Sequence, residues 1–330
     1  MIADAHNDLL LELVHRRGEE RPFERYWLPH LEAGGVRLQV CPLYAEVEEG
    51  SERALAEALS QTTAFRRAVR EAGERVAWVR TRADLDALGE RRIGLMLSLE
   101  GCEPLGSDPE LFDVFWELGV RMVSLTWNRR NAFADGAGEP AHGGLSARGR
   151  ELVARLIELG AIVDLAHASE RTFWDVLDAA PAATLLVSHA CCRALVETPR
   201  NLADDQLRAL AERDGVLCLM ALPLVVDPER PTIERLVDHV EHAVEVMGVE
   251  HVGLGADFIR QVALALGIDG NPSALLPAGM SMADPVEGLA GPEDYPALVA
   301  ALRARGFDGE RLDAILSRNL LRLLRRGLPA

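Results

Sequence analysis

The chain contains no lysine; all 35 of its basic residues are arginine. That absence excludes chemistry built on a lysine amine: a Schiff-base aldolase, a pyridoxal-phosphate enzyme, a P-loop, or a metal pair bridged by a carboxylated lysine. Basic clusters are also missing. A formal charge of −17 repels phosphate backbones and anionic lipid surfaces, so neither nucleic acid nor a membrane is expected as a partner. No apolar run approaches the roughly 18 residues of a membrane span. The five cysteines, Cys41, Cys102, Cys191, Cys192 and Cys218, include no CxxC pair and read as buried, reduced thiols of a cytoplasmic protein. Asp4, His6 and Asp8 near the N-terminus do not suit a signal peptide, and the closing RRGLPA is no lipidation signal.

What is present is the composition of a globular chain: 330 residues, 48% hydrophobic and 26% charged. Short apolar runs alternate with helical stretches throughout. The expected strands are 2–5, 37–43, 93–99, 121–126, 161–165, 184–188, 216–221 and 251–255. Most are continuously apolar, as parallel strands covered on both faces require. Helices are expected over about 149–159, over about 204–213 with Asp204 or Asp205 as cap, and along the stripe Ile233, Leu236, Val237, Val240, Ala243, Val244, Met247. Eight strands alternating with helices predict a single (β/α)8 TIM barrel over residues 1–330; an open doubly wound sheet is the alternative. The Gly/Pro-rich stretches 131–147 and 266–293 are long enough to cover an active site.

Titratable residues recur where these strands end. The first runs into His6-Asn7-Asp8, the third into Glu100, the fifth into His167, the sixth into His189 and the eighth into Asp257. In a barrel such ends converge on one mouth. His6 and Asp8, two apart on a strand, share a face and form half of a divalent-metal site. His167 and His189 supply the other half. With lysine absent, Glu100 is the carboxylate placed to bridge two cations. Mixed imidazole and carboxylate ligation suits two Zn2+, with Mn2+, Co2+ or Fe2+ left open.

Competing motifs fail. Gly253-Leu254-Gly255 is followed by Phe258 where a dinucleotide fingerprint needs glycine, and the stretch 144–148 lacks the closing glycine of a nucleophile elbow. His239 and His242 flank the apolar stripe and are expected at the surface. His15, His30 and His142 are read as surface or loop residues, and Cys191-Cys192 as packing.

DAHNDL at 4–9, SLEG at 98–101, the stretch 144–169 ending in DLAHAS, SHA at 188–190 with PRN at 199–201, GLGADF at 253–258 and SRNLLRLL at 317–324 together resemble the membrane (renal) dipeptidase family of binuclear zinc metallopeptidases. The resemblance implies a TIM barrel of metal-dependent hydrolase type, with a zinc pair held by His6, Asp8, Glu100, His167 and His189. It also implies two further roles: Asp257 as the acidic residue near the attacking water and substrate amine, and Arg200 as the guanidinium that grips the substrate carboxylate. One departure is visible. Where the animal enzymes carry a carbonyl-contacting histidine after the fourth strand, this chain has Trp127, so support for the oxyanion falls to a metal or to a neighbour such as Asn128 or Arg129. A soluble bacterial-type member is implied, with a homodimer by analogy.

The expected activity is therefore a metallodipeptidase. Water between the cations ionises near neutral pH, Glu100 bridges, Asp257 exchanges the proton, and Arg200, Trp127 and Asn128 contact the dipeptide, whose C-terminal residue could be of D configuration. A related binuclear hydrolase acting on a lactone, cyclic amide or N-acyl amino acid is the second reading, and a non-catalytic metal barrel the third.

Overall fold

The structure is a computed structural model that describes residues 1–45, 51–89, 91–141, 143–268 and 281–330. Nine parallel strands occur among these residues: β1 Ile2–Asp4, β2 Val36–Tyr44, β3 Val76–Trp78, β4 Ile93–Glu100, β5 Val120–Ser124, β6 Ile162–Asp164, β7 Leu185–Ala190, β8 Val216–Leu219 and β9 Val252–Leu254. Eight of them close a barrel. β1 pairs with both β2 and β9, β2 passes directly to β4, and β4 through β9 follow in order. The (β/α)8 expectation over the open sheet is borne out, because the ring closes at β1.

The ninth strand, β3, escaped the sequence reading. It is three residues long and pairs only with the start of β4, at Ile93, Gly94 and Leu95, on the edge that β5 takes over from Leu97 onward. A strand this short carries no readable alternation. The predicted helices stand at Ala147–Leu159, Asp204–Glu212 and Ile233–Met247. Asp204 and Asp205 do not cap. They lie inside the first turn, where their charge faces the helix N-terminus, and the Gln206 side chain accepts from the Ala203 N–H instead.

Alternate residues of the strands, among them Ala3, Leu38, Val40, Met96, Met122, Ile162, Leu186, Val216 and Cys218, form one buried cluster with Leu320, Leu323 and Leu324 of the last helix, Asn319–Gly327. The opposite strand faces pack against the surrounding helices in a second, larger cluster. Close packing of the walls dictates some residue types. A Cβ on Gly255 would lie 1.8 Å from the Ser188 carbonyl oxygen, so only glycine lets β9 approach β7 there. All five cysteines are buried free thiols, and no described helix is long and apolar enough to cross a membrane.

Candidate metal centre at the barrel mouth

The five strand ends meet. Nε2 of His6 lies 3.8 Å from Asp8 Oδ1, 3.4 Å from Glu100 Oε2 and 3.9 Å from Asp257 Oδ1. Nε2 of His167 is 3.0 Å from Glu100 Oε1, and Nε2 of His189 is 3.7 Å from the same oxygen. Glu100 thus turns one carboxylate oxygen toward His6 and the other toward the His167–His189 pair. The ligand atoms of His6, Asp8 and Asp257 lie within 4.8 Å of one another, as do those of His6, Glu100 and His189.

The reason His6 and Asp8 share a side is not strand alternation. β1 stops at Asp4, and Asp8 is the residue that opens helix Leu9–His15. The chain bends at Ala5, and irregular backbone from His6 to the helix start brings both side chains to the mouth. Two buried aspartates hold the neighbouring ends in register. Asp4 Oδ1 accepts from the N–H groups of His6 and Ala256, and its Oδ2 accepts from the Tyr295 hydroxyl, which ties the end of β1 to that of β9. Asp164 Oδ1 accepts from the N–H groups of Ala166 and Ser188, which ties β6 to β7. The backbone is left-handed at His167, with φ 63°, and at Asp257, with φ 56°. Non-glycine residues adopt this conformation at a cost of about 1–2 kcal/mol, and buried cases cluster at functional sites.

Outer partners orient the imidazoles. His167 Nδ1 lies 2.7 Å from Asn128 Oδ1 and donates to it. His189 Nδ1 lies 2.8 Å from Ser188 Oγ, which is itself bonded to Asp164. Both Nε2 atoms then present lone pairs, 2.7 Å apart. Two such lone pairs repel in a buried site unless a cation attracts them. The Nη2 of Arg200 donates toward His167 Nε2 at 3.2 Å and to the His189 carbonyl at 3.2 Å.

Electrostatics point the same way. Burial works against charge on His6, but Glu100, Asp257 and Asp8 overcome it and raise the imidazole to about 10. Burial raises Asp8, with Glu100 and Asp257 adding to the rise, and it raises Asp257 to about 6. Burial would also raise Glu100, yet His6 and His167 hold it below the ordinary carboxylate range. Burial, then Arg200, lowers His167 to about 3, and burial lowers His189. Arg200 falls to about 10 through burial, opposed by Asp257 and Glu100, and stays charged at neutral pH. His6 Nε2, Asp8 Oδ1 and Asp257 Oδ1 are buried without a hydrogen-bond partner. Orphaned acceptors, facing lone pairs and excess carboxylate charge are what a divalent cation pair satisfies, so the residues fit the expected metal.

Sequence reasoning missed Glu103, which is buried three residues after Glu100. It accepts from Asn131 Nδ2 at 3.0 Å, and so anchors the segment after β5. The stretch 131–147 does not cover the site: none of its described residues lines the mouth. It braces the ligands from behind, with Ala137 N–H on the His167 carbonyl and Gly138 N–H on that of Asn128. From 266–293, Ile268 and Met282 do line the mouth, while 269–280 lie outside the described residues.

Burial raises Glu103 from the usual 4.5 to about 7, with Asn131 and Trp127 opposing. Between those values the folded chain holds a proton that the unfolded chain has released, so stability falls as pH rises through that window. Glu103→Gln keeps the acceptor and is expected to be more stable than the parent at pH 8 by roughly 1–3 kcal/mol, with the gap closing near pH 4.5. Urea unfolding at both pH values checks this, and parallel curves would contradict it.

Of the remaining histidines, His239 corrects the surface expectation. It is fully buried; Nδ1 accepts from the Cys192 N–H and Nε2 donates to the Val226 carbonyl. Its helix packs inward on that side as well, which the apolar stripe alone did not reveal. His242 is partly exposed and pairs with Asp204, His30 pairs with Glu293, and His15 is exposed. His142 lies outside the described residues.

The mouth encloses a recess of about 160 Å³ lined by Asp8, Glu100, Trp127, Asn128, Arg200 and Asp257 together with apolar side chains. A larger groove of about 570 Å³ shares no lining residue with it; there Arg67 is already engaged by Glu71 and by two backbone carbonyls.

Known proteins resemble the chain in the same terms. The family described as Membrane dipeptidase (peptidase family M19) matches residues 1–269. Dipeptidase tcpJ of Claviceps purpurea is 36% identical over 234 residues, covering 70% of this chain and 50% of its own length. Dipeptidase verJ of Clonostachys rogersoniana is 31% identical over 254 residues, covering 76% of this chain and 60% of its own. The matches thus span about half the length of these curated relatives. A solved structure described as a dipeptidase and metallopeptidase of the same family superimposes with a TM-score of 0.84 at 25% identity, covering 100% of this chain and 99% of that one. A metallopeptidase of Rhodobacter sphaeroides, solved with a phosphinate mimic of L-Ala-D-Ala, has the same fold, with a TM-score of 0.85 at 24% identity over 99% of both chains. The chain belongs to the membrane dipeptidase family of metallopeptidases.

Proposed function

We propose that this chain is a zinc-dependent dipeptidase acting on dipeptides with a free C-terminal carboxylate. The observation that carries the proposal is the division of Glu100 between two histidine-bearing halves, with the Arg200 guanidinium beside one of them. His6 and Asp8 would hold one cation, His167 and His189 the other, and Glu100 would reach both. When bound, such a pair supplies Lewis acidity and lowers the pKa of the attacking water.

The protein's own groups do the rest. Arg200 binds the substrate carboxylate, a task for which its planar fork and its charge at neutral pH suit it. Asp257, raised to about 6 by burial, takes a proton at Oδ1 and returns it to the leaving amine. Asn128 keeps His167 in one tautomer, so its contribution to substrate binding is indirect. Trp127 stands edge-on to Tyr44, with ring centres 5.3 Å apart, and closes the mouth on the side of β2 and β5. Its indole N–H donates but cannot become cationic. The mimic bound by the Rhodobacter sphaeroides protein extends the proposal here to a C-terminal residue of D configuration.

Arg200→Met tests the carboxylate role. KM for a dipeptide is expected to rise by about 10- to 100-fold, the loss of a charged hydrogen bond, with a smaller change in kcat. An equal rise for the matching dipeptide amide would contradict it. The alternative class, N-acyl amino acids, lactones or cyclic amides, is favoured by the apolar share of the recess lining. Turnover of a lactone faster than of any dipeptide would establish it.

A further inference from the structure

The recess is asymmetric. On the side of β8 and β9 its wall is largely apolar: Met220, Leu222, Leu224, Val225 and Ile259 line it, with the Asp257 carboxylate among them. Across from them stand Tyr44, Trp127 and the Glu100 carboxylate, while Asp8 lies beside Asp257. Arg200 belongs structurally to the apolar side. Its neighbour Asn201 donates from Nδ2 to the Val225 carbonyl at 3.0 Å and accepts at Oδ1 from the Cys191 N–H at 3.1 Å. His239 fastens the same turn through the Val226 carbonyl and the Cys192 N–H. Met220 N–H donates to the Ala190 carbonyl, which continues the link between the ends of β7 and β8. The guanidinium and the apolar wall are therefore fixed to each other through buried side chains.

From this arrangement we infer that the site selects a bulky aliphatic side chain on the residue whose carboxylate Arg200 holds. The inference rests on the carboxylate role proposed above for Arg200. A carboxylate fixed by Arg200 places the α-carbon one bond away, and the side chain on that carbon then meets the β8–β9 wall. Leucine, isoleucine, valine or methionine is dehydrated there at a gain. Aspartate or lysine would bring a charge against an apolar surface. The other end of the substrate faces rings and carboxylates, where side-chain size is weakly discriminated. The shared chemistry is a free carboxylate beside an aliphatic side chain, and either a dipeptide or an N-acyl amino acid supplies it.

The test is a kcat/KM panel with the metal-loaded protein. One series varies the C-terminal residue of Ala-X dipeptides (X = Gly, Val, Leu, Asp, Lys), a second varies the N-terminal residue of X-Ala, and acetyl-leucine and acetyl-glycine form a third. Ala-Leu is expected to exceed Ala-Gly by about 100-fold, the discrimination available from a few methylenes in an apolar pocket. Ala-Asp and Ala-Lys are expected below Ala-Gly, and the X-Ala series should vary less. Leu222→Ser should shrink the Ala-Leu to Ala-Gly ratio by about 10-fold, as expected for lost methylene contacts. The panel on the parent protein decides the matter even if that variant folds poorly. Cleavage of acetyl-leucine well above acetyl-glycine, with dipeptides inert, would support the aliphatic selection and assign it to acyl amino acids. A flat Ala-X series with active dipeptides would overturn the selection and leave the Arg200 role standing. Equal cleavage of Ala-Leu and Ala-leucinamide would overturn both.

Discussion

Glu100→Gln is expected to abolish turnover and release bound metal while leaving the barrel folded. The amide matches the carboxylate in shape, so packing at the end of β4 is unchanged. It cannot offer an anionic oxygen to each half of the site, where Glu100 now faces His6 at 3.4 Å and His167 at 3.0 Å. Changing an outer partner of a metal ligand costs roughly 10- to 100-fold in affinity or activity, and a shared ligand costs more. The circular dichroism and melting temperature of the metal-free variant should match those of the metal-free parent. Retained activity would remove Glu100 from the centre. Lost activity with a collapsed fold would make its role structural.

The next largest effect is expected from Asp257→Asn. Asparagine tolerates the left-handed backbone at this position better than most residues, so the φ of 56° is no obstacle to folding. It also removes one of three carboxylates crowded around His6, which should leave the metal-free protein at least as stable as the parent. What it lacks is a proton acceptor. The loss in kcat should be about 10²- to 10⁴-fold, the usual worth of general acid–base catalysis, with KM little changed. Single-turnover kinetics with a dipeptide would measure it. A variant whose KM rises while kcat holds would instead assign Asp257 to binding the substrate amine.

The barrel was legible because eight of its strands are apolar runs separated by helices with clear periodicity or caps. β3 was not, since three residues give no pattern. The cluster at the mouth was legible because His6, Glu100, His167, His189 and Asp257 each follow a mainly apolar run directly. The path to it was partly different from the one expected: His6 and Asp8 converge through irregular backbone and a helix start, not through strand alternation. The staples at Asp4 and Asp164 are acidic residues in or beside strands, and only the fold tells which N–H groups they collect. Glu103 could have been suspected from its distance of three residues from Glu100, but its burial depends on Asn131, which arrives from a loop 28 positions on. His239 sits on a helix face that the sequence places at the edge of the apolar stripe, and its hydrogen bonds reach two segments outside its helix, 13 and 47 positions away.

Quantifying metal in the purified protein, in parallel with His6→Ala and His189→Ala variants, tests the binuclear centre most directly. The parent should carry two equivalents of divalent cation, with zinc preferred, and each variant should lose at least one equivalent together with its hydrolytic activity. A parent that binds no divalent cation after incubation with zinc, or variants that bind as much as the parent, would contradict the account.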